Sequence, residues 1–329
     1  MGFKAYMIHQ EDGKVASRFV DMDEAQLDAG EVTIRVAYSS VNYKDALAAT
    51  GAGRIIRRFP CVGGIDLAGT VIESRDPRFA AGDSVVATSY DIGVAHHGGY
   101  AEVARVPADW VLKLPAGLTL QEAMSLGTAG FTAGLAVARM EHDGLKPANG
   151  PVVVSGATGG VGSIAIQILA GLGYHVVALT GKEQETDYLK GLGAKEVMLR
   201  QSIDLAKIKP LGSETWAGAV DNLGGDVLSW MASTMKVGGT LASIGLAAGF
   251  QFNTTVMPFI LRGVSLLGID SVNCPMARRA EVWRRLGGDM KPAHLAALTR
   301  IIGFDELPGV FDDFIQARIK GRVVVRIAA

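Results

Sequence analysis

Apolar and polar positions alternate in short runs over the first third of the chain. Segments 31–39, 70–74, 84–89 and 99–106 each read as a strand bounded by Gly, Pro or Asp. Residues 1–121 therefore predict a β-rich domain of barrel or Greek-key character. At Thr119 the period changes: Thr119-Leu-Gln-Glu122 is a capping box, and apolar residues recur at helical spacing over 122–140. From residue 151 the two patterns alternate, as strand 151–155, helix 160–172, strand 175–180, helix 183–192 and strand 196–199. Strands at 217–222, 239–245 and 265–270 follow, with a helix at 227–235 before the second of these. Such alternation predicts a parallel, doubly wound α/β sheet. A helix carrying Arg278, Arg279, Arg284 and Arg285 comes next, and 321–327 reads as a strand returning to the first domain. The expected division is a β-rich domain of residues 1–121 and 298–329, with an α/β domain of 122–297.

Composition narrows the function classes. A chain of 329 residues favours two domains over one core. With 32 basic against 33 acidic residues and a net charge of −1, no basic stripe points to nucleic acid. Cys61 and Cys274 are too few for a disulfide scaffold and fit a reducing compartment. No apolar run approaches the roughly 20 residues of a membrane span, and the N-terminus lacks a secretory apolar segment. The expectation is a soluble, cytoplasmic protein.

The chemistry begins at Pro151-Val-Val-Val-Ser-Gly-Ala-Thr-Gly-Gly-Val-Gly162, where an apolar strand meets a glycine-rich turn and then a helix. Glycines let the backbone approach a pyrophosphate, and the helix start offers unpaired N–H groups and the positive end of its dipole. Ala157 stands at the usual first glycine of the fingerprint, with Gly159 and Gly162 at the second and third. The expected pyrophosphate contacts are Thr158, Gly159, Gly160 and Val161. A site built for NAD needs a carboxylate about 20 residues further on, for the ribose 2′-hydroxyl. The second strand ends instead in Thr180-Gly181-Lys182, and Arg200 follows the third. These groups suit a 2′-phosphate and hence NADPH, unless Lys182 and Arg200 are ordinary surface charges. Leu246 borders the expected nicotinamide end or is a core residue.

Ser39-Ser-Val-Asn-Tyr-Lys-Asp-Ala46, Pro60-Cys-Val-Gly-Gly-Ile-Asp-Leu-Ala-Gly-Thr-Val71, Gly53-Arg-Ile-Ile-Arg57 and Gly268-Ile-Asp-Ser-Val272 carry a resemblance. On these motifs and the order of domains, the whole chain resembles the medium-chain dehydrogenase/reductase superfamily. Within its zinc-free quinone oxidoreductase branch, the chain is similar to the acrylyl-CoA reductase family. The resemblance implies a GroES-like catalytic domain joined to a Rossmann domain. It makes Arg200 the phosphate-binding arginine and adds Tyr43, Ile260 and Ser271 as cofactor contacts, with Ile260 equally a core candidate. No catalytic metal is expected, because Asn42 and Ile65 occupy positions where the zinc enzymes have a cysteine and a histidine. The remaining pair, His96-His97, reads as an exposed loop before two glycines.

The activity implied is NADPH-dependent reduction of acrylyl-CoA to propanoyl-CoA, with Asn42 and Tyr43 facing the reacting groups. Tyr43 either packs on the nicotinamide ring or donates a proton. Asp45 reads as a structural hydrogen-bond acceptor rather than a base. Arg54, Arg57 and Arg58 are the candidates for the phosphates of CoA, with the arginine-rich helix a second basic set; either is equally a solvated face. A quinone or small-enone reductase is the alternative, and a non-enzymatic NADPH-binding redox sensor is the third reading. The apolar edge segment 264–269 predicts a homodimer.

Overall fold

The computed structural model describes residues 2–327 and divides them into two units. The first comprises residues up to Thr128, 272–280 and those from Leu295 onward; the second comprises 129–271 and 281–294. The changeover thus falls at Thr128 rather than at residue 121, beside Gly127, whose non-helical backbone kinks a segment that reads as one helix by its apolar period.

The first unit opens with a hairpin, β1 (Gly2–Glu11) and β2 (Lys14–Asp23), outside the strand set read from alternation. Asp12-Gly13, both at positive φ, makes the two-residue turn that matches strand twist. Next come β3 (Val32–Val41), α1 (Tyr43–Thr50), β4 (Cys61–Val62), β5 (Asp66–Ser74), β6 (Ser84–Thr88), β7 (Val103–Val106) and β8 (Val111–Lys113). Helix α2 (Leu120–His142) leaves the unit through a kink at Gly127.

The second unit carries β9 (Val152–Val154), α3 (Gly160–Gly171), β10 (Val176–Thr180), α4 (Thr186–Gly191), β11 (Glu196–Leu199) and β12 (Trp216–Asp221). It continues with α5 (Gly225–Ser233), β13 (Met235–Ser243), α6 (Met257–Arg262) and β14 (Ser265–Gly268). Helix α7 (Met276–Leu286) follows, and the chain closes with β15 (Thr299–Gly303), α8 (Phe311–Ile315) and β16 (Arg322–Arg326) in the first unit.

In the first unit a sheet ordered β15-β16-β3-β5-β6-β8, with β7 also on β3, stands beside a small sheet β2-β1-β4. The C-terminal strand β16 pairs antiparallel with β3, from Val323 on Val41 to Arg326 on Tyr38. Phe3, Ile8, Ile34, Leu67, Tyr100 and Val325 lie in its core. Each such buried aliphatic or aromatic side chain contributes about 1.5–3 kcal/mol. The second unit is a parallel sheet ordered β11-β10-β9-β12-β13-β14. Its central strands bury side chains on both faces, as Val152–Val154 and Val176–Thr180 do, which is why they read as unbroken apolar runs. Strand order reverses beside β9, so the carboxyl ends of β9 and β12 frame the position where such sheets bind ligands.

Candidate active site

In the second unit, β9 ends at Val154 and the chain turns through 155–159 into α3. Gly156 has φ +57, a left-handed backbone that favours glycine. The tight-turn glycine is therefore Gly156, one residue before the expected fingerprint position, and Ala157 is fully buried behind it. A Cβ on Gly162 would lie 2.4 Å from the Gly156 carbonyl oxygen, so only glycine lets α3 pack this close to the strand end. Gly159 is the N-cap, and the N–H groups of the first turn have no intrahelical acceptor. Thr158, Gly159, Gly160 and Val161 thus form a compact backbone cradle with the chemistry an anionic pyrophosphate requires.

The turn is tied to its neighbours. Ala157 N donates to Leu179 O on β10 at 3.4 Å. Asp221, at the carboxyl end of β12, accepts from Ser155 Oγ at 2.8 Å, Gly224 N at 2.8 Å and Leu223 N at 3.1 Å. Burial pushes its carboxyl up, while these donors pull the other way. Asn222 Nδ2 closes the link by donating to Ser155 O at 2.7 Å. The sequence argument misses this Asp221–Ser155 lashing, although Asp221-Asn-Leu-Gly-Gly225, an acid and two glycines after an apolar run, was a usable signal.

Strand register brings the expected phosphate readers together. Thr180 pairs with Leu199, which places Arg200 beside Gly181. A Cβ on Gly181 would be 3.8 Å from Arg200 Nη2. Thr180 is buried, its Oγ1 accepting from Lys182 N at 3.0 Å; Lys182 is half-buried and Arg200 exposed. No carboxylate stands at 180–182. Further along, Ser243 pairs with Gly268, so Leu246 and Ser271 follow adjacent strand ends. Leu246 and Ile260 are exposed, which removes the core alternative for both, whereas Ser271 is buried.

In the first unit, Asn42 joins the end of β3 to the start of α1 as its N-cap, and Tyr43 takes the first helical position, 55% exposed. Asn42 is buried. Its backbone N–H donates to Asp45 Oδ2 at 2.8 Å, the carboxylate half of a capping box. Its Nδ2 donates to Asp45 Oδ2 at 3.1 Å and to Asp66 Oδ2 at 2.8 Å, and its Oδ1 accepts from Arg322 Nη1 at 3.1 Å. The amide expected to face the reacting groups is thus engaged inside the protein.

Asp66 holds the other side of this cluster. It accepts from Ser40 Oγ at 2.6 Å, Thr128 N at 2.9 Å and Thr128 Oγ1 at 2.5 Å. Asp45 also accepts from Ile65 N at 3.0 Å, in keeping with an acceptor role. Arg322 donates from Nη2 to Ser40 Oγ at 2.9 Å and from Nε to Ser125 O at 3.0 Å. Burial and the Asp66 charge push the Asp45 carboxyl up to about 7. Burial also lowers Arg322, which both carboxylates oppose.

Three expectations need correction. His96 and His97 are buried, not an exposed loop: His97 Nδ1 accepts from Val62 N at 3.0 Å, and the His96 ring packs edge-on against Trp110. The arginine-rich helix is a basic face only in part: Arg278 and Arg284 are exposed, whereas Arg279 and Arg285 are engaged inside the protein. Arg279 is 1% exposed, donates to Thr88 Oγ1 at 3.0 Å and lies 4.4 Å from the Tyr90 ring centre; Arg285 pairs with Glu141 and Asp289, both at 2.6 Å. The Arg54–Arg58 loop is mostly neutralised as well, since Arg57 pairs with Asp91 and Arg58 with Asp28. Arg54 is exposed and pairs with no acid among the described residues. In each case a partner distant in sequence supplied what local pattern could not show. Among the described residues, no three His, Cys, Asp or Glu side chains stand close enough to share a metal ion.

Comparison with known proteins places family matches on both parts of the chain. Residues 28–116 match the alcohol dehydrogenase GroES-like domain, and residues 160–286 match the zinc-binding dehydrogenase family. YhfP of Bacillus subtilis, a putative quinone oxidoreductase, is 49% identical over 99% of each chain. Its crystal structure with NAD bound superposes with a TM-score of 0.97. The acrylyl-CoA reductase AcuI of Ruegeria pomeroyi is 47% identical over 97% of each chain. The YhdH oxidoreductase of Salmonella enterica, in complex with NADP, is 48% identical, covers 99% of this chain and all of its own, and has a TM-score of 0.96. The chain belongs to the medium-chain dehydrogenase/reductase superfamily and, within it, to the acrylyl-CoA reductase family.

Proposed function

We propose that this protein is an NADPH-dependent enoyl-thioester reductase that converts acrylyl-CoA to propanoyl-CoA. The observation that carries the reading is the end of β10, where Thr180, Gly181 and Lys182 meet Arg200 with no carboxylate. It stands in a chain 47% identical almost end to end to an acrylyl-CoA reductase. The backbone at 158–161 would hold the pyrophosphate, and Lys182 and Arg200 the 2′-phosphate, with Leu246, Ile260 and Ser271 as further contacts. Bound NADPH supplies a hydride, which the β-carbon of the conjugated alkene accepts.

As the β-carbon gains that electron pair, the alkene pair shifts and negative charge develops on the thioester oxygen. A proton taken at the α-carbon completes the saturated product, so the net addition is one hydride and one proton. Tyr43 is the exposed group assigned to this step, packing on the reacting plane or passing the proton from its hydroxyl. We read Asn42 as acting through the turn it holds, because its amide is spent internally. The reaction is read as metal-free: Ile65 is buried and offers no ligand atom, and Asn42 is committed to carboxylates and Arg322. No helix of the described residues is long and apolar enough to cross a membrane, and both cysteines are free, which supports a cytoplasmic enzyme. We also assign a homodimer through the β14 edge.

A second reading, reduction of a quinone or small enone, is favoured by one observation. Arg57 and Arg58 are already ion-paired, which leaves Arg54 as the loop's candidate for CoA phosphates. The deciding experiment follows NADPH oxidation with acrylyl-CoA, crotonyl-CoA and a simple quinone in parallel. Acrylyl-CoA is expected to lead in kcat/KM by several hundred-fold, about 3–4 kcal/mol of transition-state discrimination. A quinone ahead of both thioesters would transfer the function to the second reading.

A further inference from the structure

The Asn42 side chain takes part in the capping box of α1 and also bonds well beyond it. An N-cap asparagine ordinarily turns its oxygen back to accept from the first helical turn. Here Oδ1 accepts from Arg322 Nη1, and Nδ2 reaches two carboxylates. Asp45 and Asp66 approach the same amide from α1 and β5, and Arg322 reaches it from the C-terminal strand β16. Two carboxylates and one guanidinium, all buried, therefore converge on the single residue before Tyr43. Burying ionic groups costs desolvation free energy, and apolar packing of similar volume is often as stable or more so. A cluster of this kind gains little as a stabiliser, but it defines direction well, because every partner has a fixed hydrogen-bond geometry.

The surroundings point the same way. Thr128 grips Asp66 with both its N–H and its hydroxyl, and its hydroxyl also meets Ser89 Oγ at 3.1 Å. Gly127 lies so close that a Cβ there would stand 2.6 Å from Asp66 Oδ2 and 2.8 Å from Arg322 Nη2. Asp66 is thus held by partners from β3, α2 and the residue before α1, while Tyr43 itself is exposed.

We propose that Asp66 is a positioning residue for the reaction: by holding Asn42 against Arg322 it sets the direction in which Tyr43 leaves the start of α1. The proposal rests on the reading of Tyr43 as a contact of bound nicotinamide nucleotide. Misplacing such a group by about an ångström costs up to roughly 100-fold.

The test is a double-mutant cycle on the full-length protein with Asp66→Asn, Tyr43→Ala and the combination. NADPH affinity is measured by nucleotide fluorescence without acceptor, and kcat is measured with acrylyl-CoA. Asp66→Asn alone is expected to weaken NADPH binding and lower kcat by about 10-fold or more, and to add less than about two-fold once Tyr43 is alanine. Losses that multiply in full would overturn the proposal, since a merely structural role acts whether or not Tyr43 is present. Wild-type values for Asp66→Asn would overturn it too. If thermal melts show that Asp66→Asn does not fold, Thr128→Val carries the same cycle, because it removes the 2.5 Å bond to Oδ1. A wild-type protein that binds NADPH but leaves acrylyl-CoA untouched sinks the substrate assignment alone, and the binding cycle then decides the role of Asp66.

Discussion

Gly127 shows how much one missing side chain can matter. It has φ +52 in the middle of α2, and a Cβ would meet Asp66, Arg322 and Ser40 oxygen or nitrogen atoms within 2.8 Å. Gly127→Ala therefore combines backbone strain with a clash against buried polar groups. It is expected to destabilise the protein by about 2–4 kcal/mol, read from denaturant unfolding. A loss under about 1 kcal/mol would show that the cluster can move aside. Asp45 makes a second prediction, with a definite sign. Its carboxyl is raised from 3.8 to about 7 by burial and by Asp66, so between those values the folded protein keeps a proton that the unfolded chain releases. That contribution to stability is complete below the unfolded value and is lost as pH rises through the folded one. Unfolding midpoints should fall between about pH 4 and about pH 7, and Asp45→Asn should flatten that slope. An unchanged slope in the variant would assign the dependence to another group.

At the scale of elements, the proposed 2′-phosphate site lies at the β10–β11 pair. Parallel register sets Leu199 beside Thr180 and so brings Arg200 to Gly181, a juxtaposition of residues about 20 apart in sequence. Arg200→Glu is expected to weaken NADPH binding by about 10- to 100-fold while leaving NADH nearly unchanged, by fluorescence titration of both nucleotides. Equal losses for the two would remove Arg200 from the 2′-phosphate. The glycine turn and helix start of the candidate site were legible in sequence because they lie in one short stretch, and Lys182 because it ends the next strand, whereas the meeting of Arg200 with Gly181 needs the strand register. Helix α7 was not legible. Its arginines share a sequence pattern, yet Arg279 is buried against Thr88 and Tyr90 while Arg285 bridges Glu141 and Asp289. A charge pattern on one helix carries no information about acceptors or aromatic rings that arrive from elsewhere. The internal engagement of the Asn42 amide was hidden for the same reason, since two of its three side-chain partners, Asp66 and Arg322, come from distant segments.

For the whole molecule, the proposed homodimer rests on the last strand of the parallel sheet. β14 pairs only with β13 in the sheet order, and Leu266 on it is 40% exposed. Phe250, Val256 and Leu261, in the segment leading to it, are exposed as well, Phe250 at 84%. An apolar edge of this kind is ordinarily covered. If the proposed homodimer forms through this edge, Leu266→Lys yields a monomer in size-exclusion chromatography with light scattering, and a wild-type monomer at micromolar concentration would remove the proposal altogether. The sequence by itself determined the alternation of strands and helices, the glycine cradle after β9, the absence of a carboxylate at the end of β10 and the strand character of 321–327, because each depends on residues near one another or on a period of two or 3.6. Only the tertiary structure decided which charges remain available and which are consumed. That choice depends on pairs such as Arg322 with Asn42 and Arg279 with Thr88, and a buried charge persists only where folding supplies its partner.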